Sequence, residues 1–502
     1  MELFHSRYVG PIILLTLGAA VACTGCSKAI KQEFPGDGTS AISQTGSATQ
    51  AEATAETEKP NLPAAERAAT APPAKVEAPQ RVVRPTLQVP KYDENRLLEL
   101  GIQRYESKRL VLYTDIDPEL ARPLPGLMDQ AYAAWEEYFG PLPPDSAGTE
   151  FQMVGHIMSD RALFHEAGIL TDDIRIHLEG VFRKQVFWMN DQPIDYVRRH
   201  LMVHEGTHCY MVAFPNPTNR FVWYMEGMAD LFRTHVTDAA GHTRFRVFPT
   251  DRDNFPGLGR TPLIEKEVHK TGPRRVEDVS GLLANDFLNY DAYSWSWALC
   301  AFLDGHPKYR DRFRKIGEVV VGRSHAPLDL RQIYMSDWTE LAEEWLVFAG
   351  NVCYGYDIER TTLDFRPGQS LASAGDRIDV EIAANRGWQS SGVLVEPGQT
   401  YRIAATGKCV LATAPRPWES EPQGISFRYH AGQPLGKLVA TIRSPALSET
   451  SPYTTMLHVV PIGRELQFAP QVAGALYFRI NDFWNELGDN TGSYSVAITE
   501  KK

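Results

Sequence analysis

Two short segments carry residues that could do chemistry together: His204-Glu205-Gly206-Thr207-His208 and Glu226-Gly227-Met228-Ala229-Asp230. In the first, two histidines stand four positions apart. On a helix that spacing stacks both imidazoles on one face, with about 5–6 Å between Cβ atoms. Both can then hold one Zn²⁺, and the Glu205 carboxylate is left beside the metal as a base. Glu226 follows His208 by eighteen positions, across a break that holds Pro215 and Pro217. A second helix can therefore return beside the first and offer an oxygen ligand. Asp230 lies one turn beyond Glu226 on the same face. It is placed to accept the N–H of a ligand histidine, His204, and so to fix its tautomer. Three protein ligands leave a fourth position open, whereas structural zinc takes four ligands, often Cys. His200, one turn before His204, has no matching carboxylate and reads as an ordinary helix histidine.

The pattern H-E-x-x-H, a spacer near twenty residues, then Glu with an acidic residue four later resembles the gluzincin metallopeptidases. The resemblance implies zinc ligands His204, His208 and Glu226, general base Glu205, and Asp230 behind a ligand imidazole. The metzincin pattern H-E-x-x-H-x-x-G-x-x-H does not fit, because His208-Cys209-Tyr210-Met211 has no Gly at the required place. The chemistry implied is hydrolysis. Zinc lowers the pKa of a water towards about 7. Glu205 takes its proton during attack on a carbonyl and returns it to the leaving amine, while a nearby donor steadies the oxyanion. Tyr293 is the candidate donor. It opens Tyr293-Ser294-Trp295-Ser296-Trp297-Ala298-Leu299, which resembles the Y-x-x-S-W-A-L element of peptidase-MA-like bacterial proteins. A half-buried packing role is the other reading, and Tyr290 is a second candidate. Arg183 and Trp188 are candidates for an edge strand that binds extended substrate, with plain strand packing as the alternative.

A second constellation lies near the C-terminus. Asp482, Asp489 and Asn490 are hard oxygen ligands around a short loop between two strands, which suits Ca²⁺ with its about six to eight oxygens. An Asx-rich turn without an ion is the plainer reading. Together with Trp388-Gln389-Ser390-Ser391-Gly392-Val393, Gly398-Gln399-Thr400-Tyr401 and Leu435-Gly436-Lys437-Leu438-Val439, this loop resembles the bacterial galactophilic lectin fold. The resemblance implies Ca²⁺ held by Asp482, Asp489 and Asn490, with backbone help near Leu411 and Glu486, and a sugar held through the ion. Gln423 matches a sugar-contacting position, but Ser420 stands where a His is expected.

The N-terminus reads as an export signal. Arg7 precedes an apolar stretch over 9–22 that is too short to span a bilayer. Thr24-Gly25-Cys26 resembles the lipobox of bacterial lipoproteins, which makes Cys26 the lipid-bearing residue. Ala20-Val21-Ala22-Cys23 is a second register, and a plain secretory signal is the alternative. Residues 27–90 are rich in Ala, Thr, Glu and Pro, with runs such as Ala51-Glu52-Ala53-Thr54-Ala55-Glu56. Such a segment buries too little apolar surface to offset its ordering entropy, so it reads as a disordered tether. The net charge of −11 argues against nonspecific nucleic-acid binding. Of six Cys, only Cys209, Cys300, Cys353 and Cys409 lie in regions expected to fold. They read equally well as free thiols or as disulfide partners.

The elements needed to position these residues follow from periodicity. Strands are expected over 109–115, 151–158 and 181–189. Helices are expected over 118–139, from Asp195 to the prolines at 215 and 217, and over 223–235, 293–303, 308–318 and 339–352. Beyond 364 the chain turns strand-like. The expected organisation is a signal peptide with lipobox over 1–26, a linker over 27–90, an α+β zincin-like metallopeptidase domain over 91–362 and an all-β sandwich over 367–500. The expected function is a membrane-anchored zinc peptidase of the bacterial cell envelope, acting on a peptide or protein. The alternatives are a carbohydrate-binding lipoprotein with an inactive peptidase-like domain, and a zinc hydrolase of a non-peptide amide or ester.

Overall fold

The strands β1 (Gln103–Glu106), β2 (Leu110–Thr114), β3 (Met153–Met158), β4 (Gly180–Arg183) and β5 (Val186–Asn190) form one sheet in the order β1-β2-β3-β5-β4. The central strands β2 and β3 are buried at every position, as their near-continuous apolar sequence requires. β2, β3 and β5 are mutually parallel, and β1 and β4 are antiparallel edges. These coordinates come from a computed structural model that describes residues 82–501, apart from 87, 177, 219, 258, 326–328, 372, 374 and 445–453. The expected export signal, Cys26 and most of the expected 27–90 linker lie outside the described residues.

The single strand expected over 181–189 is instead a hairpin, β4 and β5, turning at Lys184 in the left-handed region (φ 56°). This leaves Arg183 on the edge strand but places Trp188 on β5, one strand inside. Trp188 is buried, stacked on His156 at 5.3 Å, with its indole N–H donating to Ile169 O at 3.2 Å. Arg183 pairs with Asp173. The helix expected over 118–139 is broken between Pro118–Ala121 and α1 (Leu124–Phe139), where Pro123 and Pro125 remove amide donors.

α1 and α2 (Asp195–Met211) pack against the sheet; behind them α3 (Val222–Arg233) packs on α2, and α4 (Arg260–Thr271), α5 (Tyr290–Gly305), α6 (Arg310–Val320) and α7 (Trp338–Asn351) complete a helical layer in which α3, α4, α6 and α7 all pack on α5. The helix α4 was not expected from the sequence. α3 lies close against α5: a Cβ on Gly227 would stand 2.6 Å from Ser296 O, so only glycine permits this approach. Among the described residues no helix is long and apolar enough to cross a membrane.

The C-terminal region is β-rich, with every strand pairing antiparallel. In one sheet β6 (Arg377–Ala383) pairs with β12 (Thr491–Lys501), which pairs with β8 (Thr400–Val410), and β8 also pairs with β10 (Glu465–Phe468). In the other, β7 (Gln389–Val395), β11 (Gly474–Ile480) and β9 (Leu438–Arg443) lie side by side. The two enclose a core that includes Ile403, Phe478, Val496 and Ile498. Trp388, Tyr477, Trp484 and Leu487 instead join the larger core of the helical part. Tyr477 OH donates to Asp364 O at 2.8 Å, and Arg443 Nε lies 2.5 Å from Glu343 Oε2 on α7. The cysteines 209, 300, 353 and 409 are all unpaired.

Candidate metal centre

α2 begins with an acidic first turn at Asp195, and Arg198 fastens that turn down. Its Nη1 lies 3.1 Å from Asp195 Oδ1, its Nη2 donates to Gln192 O at 2.6 Å, and its Nε pairs with Asp191. The remainder of the helix from His200 is buried. The break after Met211 lets α3 return beside it, and this brings three side-chain atoms into a triangle. His204 Nε2 and His208 Nε2 are 3.2 Å apart, His208 Nε2 and Glu226 Oε2 are 3.2 Å apart, and His204 Nε2 and Glu226 Oε2 are 3.3 Å apart. A tetrahedral zinc with bonds of about 2.0–2.1 Å sets its ligand atoms about 3.3–3.4 Å from one another. The residues therefore fit zinc in both donor type and spacing. They are also the one group of three or more His, Cys, Asp or Glu among the described residues whose ligand atoms gather this closely.

Behind His204, its Nδ1 lies 2.9 Å from Asp230 Oδ1, which puts the ring proton on Nδ1 and turns Nε2 towards the triangle. Asp230 is fully buried and also meets Arg233 Nε at 2.9 Å and Arg260 Nε at 2.7 Å. Burial alone would raise the Asp230 carboxyl, but the two guanidiniums and His204 hold it down at about 2. Burial would likewise lower the His204 imidazole, but Asp230 and Glu226 outweigh it and hold it up at about 9. Glu226 is pushed up by burial and pulled further down by His208 and His204, ending well below the usual carboxylate range. His208 is aligned by packing: its ring stacks on Phe182 of β4 at 4.5 Å and 13°.

Glu205 points the other way from the same turn, towards β4. A Cβ on Gly180 would stand 2.3 Å from Glu205 Oε1, so glycine on the edge strand makes room for this carboxylate. Burial raises the Glu205 carboxyl above its ordinary value. Gly180, His204 and Glu205 line a cleft of about 350 Å³, with His200, Arg260 and Tyr293 on its walls. Tyr293 stands with its ring 6.1 Å from that of His204, held edge-on by Phe287 at 5.0 Å and faced by the Arg260 guanidinium at 5.4 Å. Burial, and then the charges of Glu226, Asp230 and Glu205, push its phenol far up, so it remains an O–H donor. Tyr290 is exposed at the same cleft. His200 is outside the ligand triangle, with Nδ1 3.0 Å from Arg233 O.

The C-terminal constellation is brought together in part. Asn490 Nδ2 donates to Asp482 Oδ2 at 2.9 Å and to Ala384 O at 3.2 Å, and Asp482 Oδ1 accepts the Phe483 N–H at 2.8 Å. Asn490 Oδ1 is buried without a partner. Burial raises the Asp482 carboxyl to about 6. Asp489 is exposed at the end of the turn Leu487–Asp489. Gln423 is also exposed, and its Oε1 accepts from Arg464 Nε at 2.6 Å.

No protein-family model matches the chain, and no curated protein matches it. Among solved structures it has weak likenesses to a lectin domain and to a metallopeptidase. The N-terminal domain of EclA, a PllA-like lectin, is 18% identical over 24% of this chain and 95% of that one, with a TM-score of 0.20. IMPa from Pseudomonas aeruginosa in complex with an O-glycopeptide is 13% identical over 51% of this chain and 25% of that one, TM-score 0.15. The IMPa metallopeptidase in complex with T-antigen is 12% identical over 60% of this chain and 27% of that one, TM-score 0.14. The chain thus spans about a quarter of the length of IMPa. These likenesses are loose.

Proposed function

We propose that the chain is a zinc-dependent peptidase, with a gluzincin-like domain over 91–362 and a lectin-like β-sandwich over 367–500. The observation that carries this reading is the triangle of His204, His208 and Glu226 beside a cleft that Glu205 lines. Zinc held by those three residues would supply the Lewis acidity that amide hydrolysis needs. The chain's own groups account for the rest. Glu205, with its affinity for a proton raised by burial, takes a proton from the attacking water and passes it to the leaving amine. Tyr293 donates its O–H to the developing oxyanion. Asp230 keeps His204 in one tautomer, and the open edge of β4 offers backbone hydrogen bonds to an extended peptide. Lipidation at Cys26 and a tether over 27–90 would hold this domain at a membrane of the cell envelope.

The test is metal analysis together with an unbiased peptide-cleavage profile, wild type against Glu205→Gln. We expect about one zinc per chain in both proteins. Cleavage should fall about 10²- to 10⁴-fold in the variant. Equal cleavage by both would sink the mechanism. A second reading, calcium-dependent glycan binding by a chain whose metal centre is inactive, draws support from the buried, unpartnered Asn490 Oδ1 beside Asp482. Zinc-free protein retained on a glycan column only with calcium would favour it.

A further inference from the structure

A second cleft, of about 430 Å³, lies where α4 and the C-terminal end of α7 meet the loop after β11. Its size is in the range, roughly 300–1,000 Å³, that buries a small molecule. None of Asp482, Asp489, Asn490 or Gln423 lines it, so it is distinct from the residues read as a calcium and sugar site. Its walls combine the rings of Tyr354, Phe483 and Trp484 with the side chains of Asn351, Asn485 and His269. Trp484 is firmly held, stacked on Tyr356 at 5.8 Å with the Arg479 guanidinium 3.7 Å over its ring.

The lining chemistry narrows the ligand. No Lys or Arg lines the cleft among the described residues, and Glu265 is its one acidic group. A phosphate or carboxylate would find no counter-charge there. The second imidazole, His430, is pushed down to about 4 by burial and then by Arg479, so it is neutral at pH 7. A wholly apolar ligand would take water from the exposed side chains of Glu265, His269 and Asn485 and offer them no hydrogen bond in return. An uncharged ring with apolar C–H faces and several hydroxyls satisfies both halves of the wall, because the half-buried Tyr354 and Phe483 offer apolar surface beside the exposed polar groups.

We infer that this cleft binds a neutral saccharide without calcium. The inference does not rest on the peptidase reading. The two sites are nonetheless mechanically close: α4 presents Arg260 and Leu263 to the metal cleft and Glu265, Val268 and His269 to this one.

The experiment is saturation-transfer NMR and titration of the full chain, in EDTA and again with calcium, using methyl galactoside, N-acetylgalactosamine, methyl glucoside, methyl mannoside and lactose. At least one sugar should bind in EDTA. Its affinity should fall about three- to tenfold in Asn485→Ala and in His269→Ala, the loss expected for one neutral hydrogen bond. Both residues are exposed, so melting temperatures should not change and each variant remains readable. Binding should survive in Gln423→Ala and in Glu205→Gln, the latter separating this result from the fate of the peptidase reading. The inference is overturned if no sugar on the panel binds at millimolar concentration, if binding appears only with calcium, or if both cleft variants bind as wild type does.

Discussion

Asp230 carries more of the candidate metal centre than its distance from the triangle of His204, His208 and Glu226 implies. Its one carboxylate meets His204, Arg233 and Arg260 while fully buried. Asp230→Asn keeps the volume and removes the charge. Without it the His204 ring loses the partner that fixes its tautomer, an effect of about 10–100-fold on metal affinity. Two buried guanidiniums also lose their counter-charge, which costs about 3–5 kcal/mol. We expect both losses together, read by competition with a chelator and by urea denaturation. Unchanged zinc affinity in a folded variant would remove Asp230 from the site's machinery. This residue was legible in the sequence because its relation to His204 follows from two local spacings: four positions within each of two helices. Phe182, Gly180 and Arg260 were not legible. Phe182 and Gly180 reach the site only because a strand edge folds over α2, and Arg260 only because α4 packs on α5 and so brings this side chain to Asp230 of α3; no local period marks them.

At the scale of elements, the sheet carries a titration that the sequence does not announce. His156 on β3 is fully buried, stacked between Tyr113 at 5.9 Å and Trp188 at 5.3 Å, with Nδ1 2.9 Å from Phe187 O and Nε2 3.1 Å from Tyr92 OH. Burial depresses its imidazole to about 4, so the folded chain holds it neutral where the unfolded chain would protonate it. A depressed histidine contributes its full stability above the unfolded value, near 6.5, and loses it as pH falls towards 4. At 1.36 kcal/mol per unit this is about 3 kcal/mol. Urea denaturation from pH 7 to 4 should show that loss, and His156→Phe should flatten the slope; an equal slope in both proteins would exclude His156 as its source. The strands that hold this histidine were readable because buried parallel strands are near-continuous apolar runs. The β4–β5 hairpin was not, since its turn is Lys184-Gln185, and no Gly, Asn or Pro announces the positive φ at Lys184.

At the scale of the whole molecule, the question is whether the helical part and the β-rich part stand or fall together. Composition and periodicity located the change of character after 364, because a switch of hydrophobic period from helical to alternating is visible along the chain. Their joint burial was not visible, since it depends on which faces meet. Trp388, Tyr477, Trp484 and Leu487 are counted in the same core as α5 and α7 residues, and Tyr356 stacks on Trp484. One polar link is Arg443 to Glu343, whose carboxylate side chain is fully buried on α7 while Arg443 belongs to β9 and lies over Phe365 at 4.7 Å. Arg443→Met would keep much of the packing and deprive Glu343 of this cation, leaving a buried charge short of compensation. The expected cost is about 3 kcal/mol. Because the surfaces are shared, that cost should appear in both parts at once. Calorimetry of the wild type should give a single transition, and Arg443→Met should move it down as one, with far-UV signals from helix and strand shifting together. Two transitions, or a shift confined to one of them, would show that the β-rich part is an independently stable appendage and that its contacts with α7 add little to the stability of the metal centre.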